Sequence, residues 1–141
     1  MKPLLAAALL LTPLAAPIQA ASPTVEVADA TWGHLPLMKQ RSNDHLSNVA
    51  INRIQEIASS RQCAIPGTGN RGLLSFDMSF AAQFSPDGTL NRIVMPKLNC
   101  PEAEGILGGV LLKMVQSGDY RPDGSNQEGW YRGRLNFTVG S

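Results

Sequence analysis

Leu74-Ser75-Phe76-Asp77-Met78-Ser79-Phe80-Ala81-Ala82-Gln83-Phe84, followed at once by Ser85-Pro86-Asp87-Gly88, is the stretch that decides the fold. Apolar residues fall on every even position from Leu74 to Phe84, and Ser75, Asp77, Ser79 and Gln83 fall between them. Period two held this long specifies a strand with one face buried and one wet. Pro86 presets φ for a turn, and Asp87-Gly88 tolerates the left-handed positions that a hairpin requires. Residues 89–97 are therefore expected to return as an antiparallel neighbour.

Two helices are expected on either side of this hairpin. Upstream, Leu46, Val49, Ala50, Ile54, Ile57 and Ala58 follow helical spacing from Asp44 onward, with Asn43 or Asp44 as the N-cap. That helix runs out near residues 60–62, ahead of a Pro66-Gly67-Thr68-Gly69-Asn70 loop. Downstream, Pro101 suits a first helical turn, and Ala103, Ile106, Leu107, Val110, Leu111, Met114 and Val115 make the apolar stripe. Glu102 and Glu104 suit the helix start electrostatically, and Gly118 suits the C′ position. Gly105 and Gly109 are read as a close helix–sheet contact. A last strand spans 130–139, with Tyr131, Gly133, Leu135, Phe137 and Val139 on one face.

The predicted fold is thus α+β: a three-stranded antiparallel sheet with two helices on one face, in the order α-β-β-α-β. Residues 1–20 read as a signal peptide. Lys2 is followed by a Leu/Ala run too short and too proline-broken to span a bilayer, and a cut is expected after Ala20 or Ala21. Residues 21–43 read as an irregular lead-in, with Trp32 and Leu35 against the domain edge, and 44–141 as the domain. Export by this signal peptide would place the chain in the periplasm, and no membrane span is expected in the mature chain.

Cys63 and Cys100 are an even pair in a chain expected to be exported, which reads first as a disulfide. The alternative is a redox pair or metal site, but there is no Cys-x-x-Cys, and His34 and His45 stand at no metal-ligand spacing from either cysteine. A net charge of +1, 16% charged residues and 6% aromatics offer neither a basic track nor a stacking platform for nucleic acid. No catalytic motif stands out and no cofactor is implied. Asp44 and His45 are helix neighbours that do not face each other, and His45 reads as an exposed first-turn residue.

From the first helix onward the chain resembles the C-terminal domains of TonB and TolA, two energy-coupling proteins that share a fold. The likeness rests on the long alternating strand from Leu73 to Phe84, the Phe84-Ser85-Pro86-Asp87-Gly88-Thr89-Leu90 hairpin, the amphipathic helix, Gly118-Asp119-Tyr120-Arg121-Pro122, and Trp130-Tyr131 ahead of Leu135-Asn136-Phe137. It implies an interaction module, not an enzyme, that takes up a partner's segment as an added strand. The partner is expected in the cell envelope, an outer-membrane transporter being one option, and a second copy of the chain another. The implied edge is the last strand: Arg132, Gly133, Arg134, Leu135, Asn136, Phe137 and Thr138. Arg132 and Arg134 fit either an acidic partner or a guard against edge-to-edge aggregation. The chain departs from the family in carrying no Pro/Lys-rich spacer or long helical stalk. Two alternatives stay open: a membrane-anchored transducer with an uncleaved N-terminus, and a small exported enzyme or inhibitor working through the 121–129 loop.

Overall fold

The structure, a computed structural model, describes residues 22–65, 74–124 and 128–139. The expected signal peptide, the Pro66 to Asn70 loop and the middle of the 121–129 loop lie outside the described residues. The elements in chain order are β1 (Thr24–Val27), β2 (Lys39–Gln40), α1 (Asn48–Ser59), β3 (Leu74–Phe84), β4 (Leu90–Met95), α2 (Pro101–Gln116), β5 (Tyr120–Arg121) and β6 (Gly129–Val139).

The alternating stretch forms β3 over its full length. Phe76, Met78, Phe80, Ala82 and Phe84 are buried on the helix side, while Ser75, Asp77 and Ser79 are exposed. The hairpin closes with Gly88 at φ 83°. Its N–H donates to the Ser85 carbonyl at 2.9 Å, and the Ser85 N–H donates to the Thr89 carbonyl at 2.9 Å. The register shift between Gln83 and Phe84 absorbs the extra residue that such a loop adds.

The three-stranded antiparallel sheet and the order α-β-β-α-β both fail, since two strands precede α1 and a further short strand precedes β6. The main sheet has four strands in the order β1-β4-β3-β6, and β1 runs parallel to β4. The fourth strand comes from the stretch expected to be irregular. Thr24–Val27 pairs with Arg92, Ile93, Val94 and Met95, and the Ala28 N–H extends the ladder to the Met95 carbonyl at 3.0 Å. Four residues are too few for periodicity to register, and a ladder of main-chain bonds leaves little trace in side-chain type.

After β1 the same segment crosses to the opposite edge of the sheet. The Arg132 N–H donates to the Pro36 carbonyl at 2.9 Å, and the Met38 N–H donates to the Arg132 carbonyl at 2.7 Å. The segment then makes a second, two-stranded sheet, β2 with β5. Residues 24–41 are therefore a strap that adds a strand beside β4 and then bonds to β6 at the other edge.

Both helices lie on one face. α2 packs on β4 and β1, and α1 packs on α2 and β6. Ile54 and Ile57 of α1 join Leu107, Leu111 and Met114 of α2 over Phe76, Phe80, Ile93 and Met95. α1 begins later than the sequence suggests. Ser47 is the N-cap, accepting from the Ala50 N–H at 3.2 Å, and Val49 is left 80% exposed instead of joining the buried stripe. α2 starts at Pro101 as expected. It ends in a two-bond Schellman closure, with the Asp119 N–H on the Met114 carbonyl and the Gly118 N–H on the Val115 carbonyl, and with Gly118 at φ 87°. The close helix–sheet approach is made by Gly108, where a methyl group would come within 2.9 Å of Val25 Cγ1. Gly105 and Gly109 have open space around them.

Cys63 and Cys100 form a disulfide with Cα atoms 5.7 Å apart, joining the end of α1 to the N-cap of α2. In the chain-entropy account a closure of this span removes about 4 kcal/mol of unfolded-state freedom. No helix among the described residues is long and apolar enough to cross a membrane.

Gly133 sits where the Phe80 ring packs against β6. A Cβ there would run into that ring and reach 3.0 Å from Met38 Cε, and both neighbours are buried. Gly133→Ala is expected to cost about 2 kcal/mol by overpacking. Gly109→Ala, in a helix with room around it, is expected to be neutral or slightly stabilising. Urea midpoints of the two variants test this, and equal midpoints would contradict the packing described.

Candidate functional site

The strand expected to bind a partner, β6, does lie at a sheet edge. Its usable length follows from main-chain geometry. In an antiparallel ladder a residue's N–H and C=O point to the same side, and the side alternates along the strand. Arg132 points away from β3, because both its groups bond to the strap. The register from Leu74↔Val139 to Phe84↔Gly129 is unbroken, so Arg134, Asn136 and Thr138 also point outward. The Arg134 carbonyl accepts the Tyr120 hydroxyl at 2.7 Å. Among the described residues, nothing bonds the outward N–H of Arg134 or the outward groups of Asn136 and Thr138.

The seven expected site residues therefore separate into distinct roles. Gly133 and Leu135 are buried and serve the core, and Phe137 stacks on Phe76 at 5.1 Å between ring centres. Arg132 is occupied through its main chain, and its Nε donates to the Leu35 carbonyl at 3.0 Å. Arg134 forms an ion pair with Asp77 across the wet face, its Nε 2.7 Å from Oδ1. That contact holds the Asp77 carboxyl below its ordinary range and raises the Arg134 guanidinium. Both arginines thus have partners within the chain. Among the described residues, nothing bonds the side chains or outward main-chain groups of Asn136 and Thr138.

A second constellation escapes the sequence reading. Asp119 follows the Gly118 turn and is only 1% exposed. It accepts from the Ser42 hydroxyl at 2.8 Å, the His45 N–H at 2.9 Å and His45 Nδ1 at 2.8 Å. Its carbonyl accepts the Arg41 N–H at 2.7 Å. Burial works against the charged carboxylate. The His45 side chain and N–H and the Ser42 hydroxyl outweigh it, and the carboxyl titrates below its usual range. The neighbouring Tyr120 hydroxyl is pushed the other way, first by burial and then by the Asp119 charge. Ser42 donates to the carboxylate and not to the imidazole, so no hydroxyl is aligned on His45 as a nucleophile. The group pins the strap to the turn after α2. Only a weak sign marks it in sequence: an acidic residue directly after a helix-ending glycine.

Among the described residues no three His, Cys, Asp or Glu side chains gather as a metal-binding group. Comparison with protein-family models, curated proteins and solved structures gives no match.

Asp119→Ala leaves three donors facing an empty space and is expected to cost about 3 kcal/mol. The pH dependence has a definite sign. Because the folded carboxyl titrates below its unfolded value, its stabilisation is complete above the unfolded value and is lost as pH falls below the ordinary carboxylate range through the folded one. Asp119→Asn should therefore flatten the acid limb of stability relative to the native chain. Urea midpoints across that range check it, and parallel acid limbs would remove Asp119 from the account.

Proposed function

We propose that this chain is an exported protein-interaction module of the cell envelope, which takes up an extended segment of a partner along the open part of β6. The observation that carries the reading is the row of outward main-chain groups from the Arg134 N–H through Asn136 and Thr138, unbonded among the described residues at the β6 edge of the sheet. Such groups are a template for an added strand, and bonding to them requires no particular side chains of the partner. The disulfide joining the two helices supports an oxidising compartment. The resemblance to the TonB and TolA C-terminal domains points to the same mode and the same strand. Export rests on the character of residues 1–20.

The strap narrows the mode. It already occupies Arg132, and Tyr120 covers the Arg134 carbonyl, so an added strand would begin at the Arg134 N–H and run toward Thr138. Four or five residues of partner fit such a stretch at about 3.4 Å each. A short ladder gives modest affinity, suited to a contact that forms and releases.

Asn136→Pro deletes an N–H that points away from β3, so pairing with β3 is retained. A photo-crosslinker at Thr138 in cells should join the chain to one discrete envelope protein. Asn136→Pro should reduce that product at least tenfold and Asn136→Ala less than twofold. Equal losses would show recognition by side chains, and no product from a folded, exported chain would refute the β6 reading.

A further inference from the structure

β3 has a second open stretch, on the side facing away from β6. Since Ala81 stands opposite the outward-pointing Arg132, its own N–H and C=O also point away from β6, and so do those of Ser79 and Asp77. β4 meets Ala81 at Val94. Continued in register, it would place Pro96 opposite Ser79 and Leu98 opposite Asp77. Neither residue has an N–H to give there, and neither carbonyl accepts from Ser79 or Asp77. Pro96 has no N–H to give. The Leu98 N–H is taken by Glu104 Oε2 at 2.8 Å. Asn99 then turns the chain away at φ 57°. Among the described residues, nothing bonds the Asp77 and Ser79 main-chain groups on this side.

The gap is a cavity. A groove of about 460 Å³ lies between β3 at Phe76 to Ser79 and the departing chain at Pro96, Lys97 and Leu98, and Thr31 and Trp32 of the strap close its outer side. That volume is within the ordinary range for ligand sites. Its charge is one-sided. Asp77 is neutralised by Arg134, while Lys97 and Arg132 also line the groove and have no carboxylate partner among the described residues.

We infer that this notch is a second strand-addition site, taking an extended acidic segment of another protein. Its main chain would bond to Ser79 and Asp77, and an Asp or Glu side chain would lie toward Lys97 and Arg132. The site is separate from the β6 edge: the two open rows lie on opposite sides of the β3–β6 pair, so one can fail while the other holds.

The test uses the disulfide-bonded chain, labelled with ¹⁵N, and an N-acetylated, C-amidated hexapeptide alternating Val with Glu. Amide shifts at Asp77 and Ser79 should saturate with a Kd of ~1 mM or below. A hexapeptide alternating Val with Lys should bind at least tenfold more weakly. The Val/Glu peptide methylated at alternate backbone nitrogens should also lose at least tenfold, a control that leaves the protein unaltered. Lys97→Glu, an exposed change, should weaken the Val/Glu peptide about fivefold. Absence of shifts at Asp77 and Ser79, equal binding of the methylated peptide, shifts confined to Asn136 and Thr138, or concentration-dependent shifts without peptide that show a second copy in the notch would each overturn the proposal.

Discussion

Pro96 cannot donate to Ser79, and the Leu98 N–H, spent on Glu104, cannot reach Asp77. Around this interruption the sheet is organised. β3 is the one long strand bonded on both sides, fully to β6 and only at its C-terminal end to β4. Glu104 gives the released chain a new partner, Asn99 turns it, and Pro101 starts α2 directly, so the strand that stops short becomes the helix that covers the core. β4 is in turn shielded on its outer edge by β1. The cost of the arrangement is backbone in the middle of a sheet that nothing among the described residues bonds, and such backbone is exposed to water or offered to a partner.

The strap answers the same constraint elsewhere. It bonds β4 through Thr24–Val27, then brackets Arg132 on β6, then pairs with β5, and Asp119 holds its far end with four bonds to Arg41, Ser42 and His45. The strap thus covers the outer side of β4 and part of the β6 edge, and among the described residues open rows remain at Ser79 and Asp77 on one side of the β3–β6 pair and from the Arg134 N–H to Thr138 on the other. Edge coverage of this kind lets a small domain keep a binding template without offering a whole strand for aggregation.

Side-chain periodicity made β3, the hairpin, α2 and β6 legible, because each buries one face over many residues: Phe76 to Phe84, Ala103 to Val115, Gly133 to Phe137. β1 and β2 were not legible. Each is short and held by main-chain bonds that Thr24, Lys39 or almost any residue could make. The start of α1 was misplaced because Asn43 and Asp44 are good caps locally, while the Asp119 carboxylate, distant in sequence, claims the His45 N–H and Ser47 becomes the cap. Gly133 read as a member of a binding edge. Its reason is the Phe80 ring, a contact no local pattern encodes. The interruption at Pro96 was in plain view, but its meaning depends on which β3 residues face β4.

Amide hydrogen exchange of the free monomer, read residue by residue, tests that assignment directly. The account predicts that Asp77, Ser79 and Asn136 exchange roughly 100-fold or more faster than Met78, Phe80 and Leu135, and that Arg132, bonded to the strap, is protected with the second group. Protection of Asp77 and Ser79 equal to that of Met78 and Phe80 would mean that their N–H groups are already bonded, and would contradict the account.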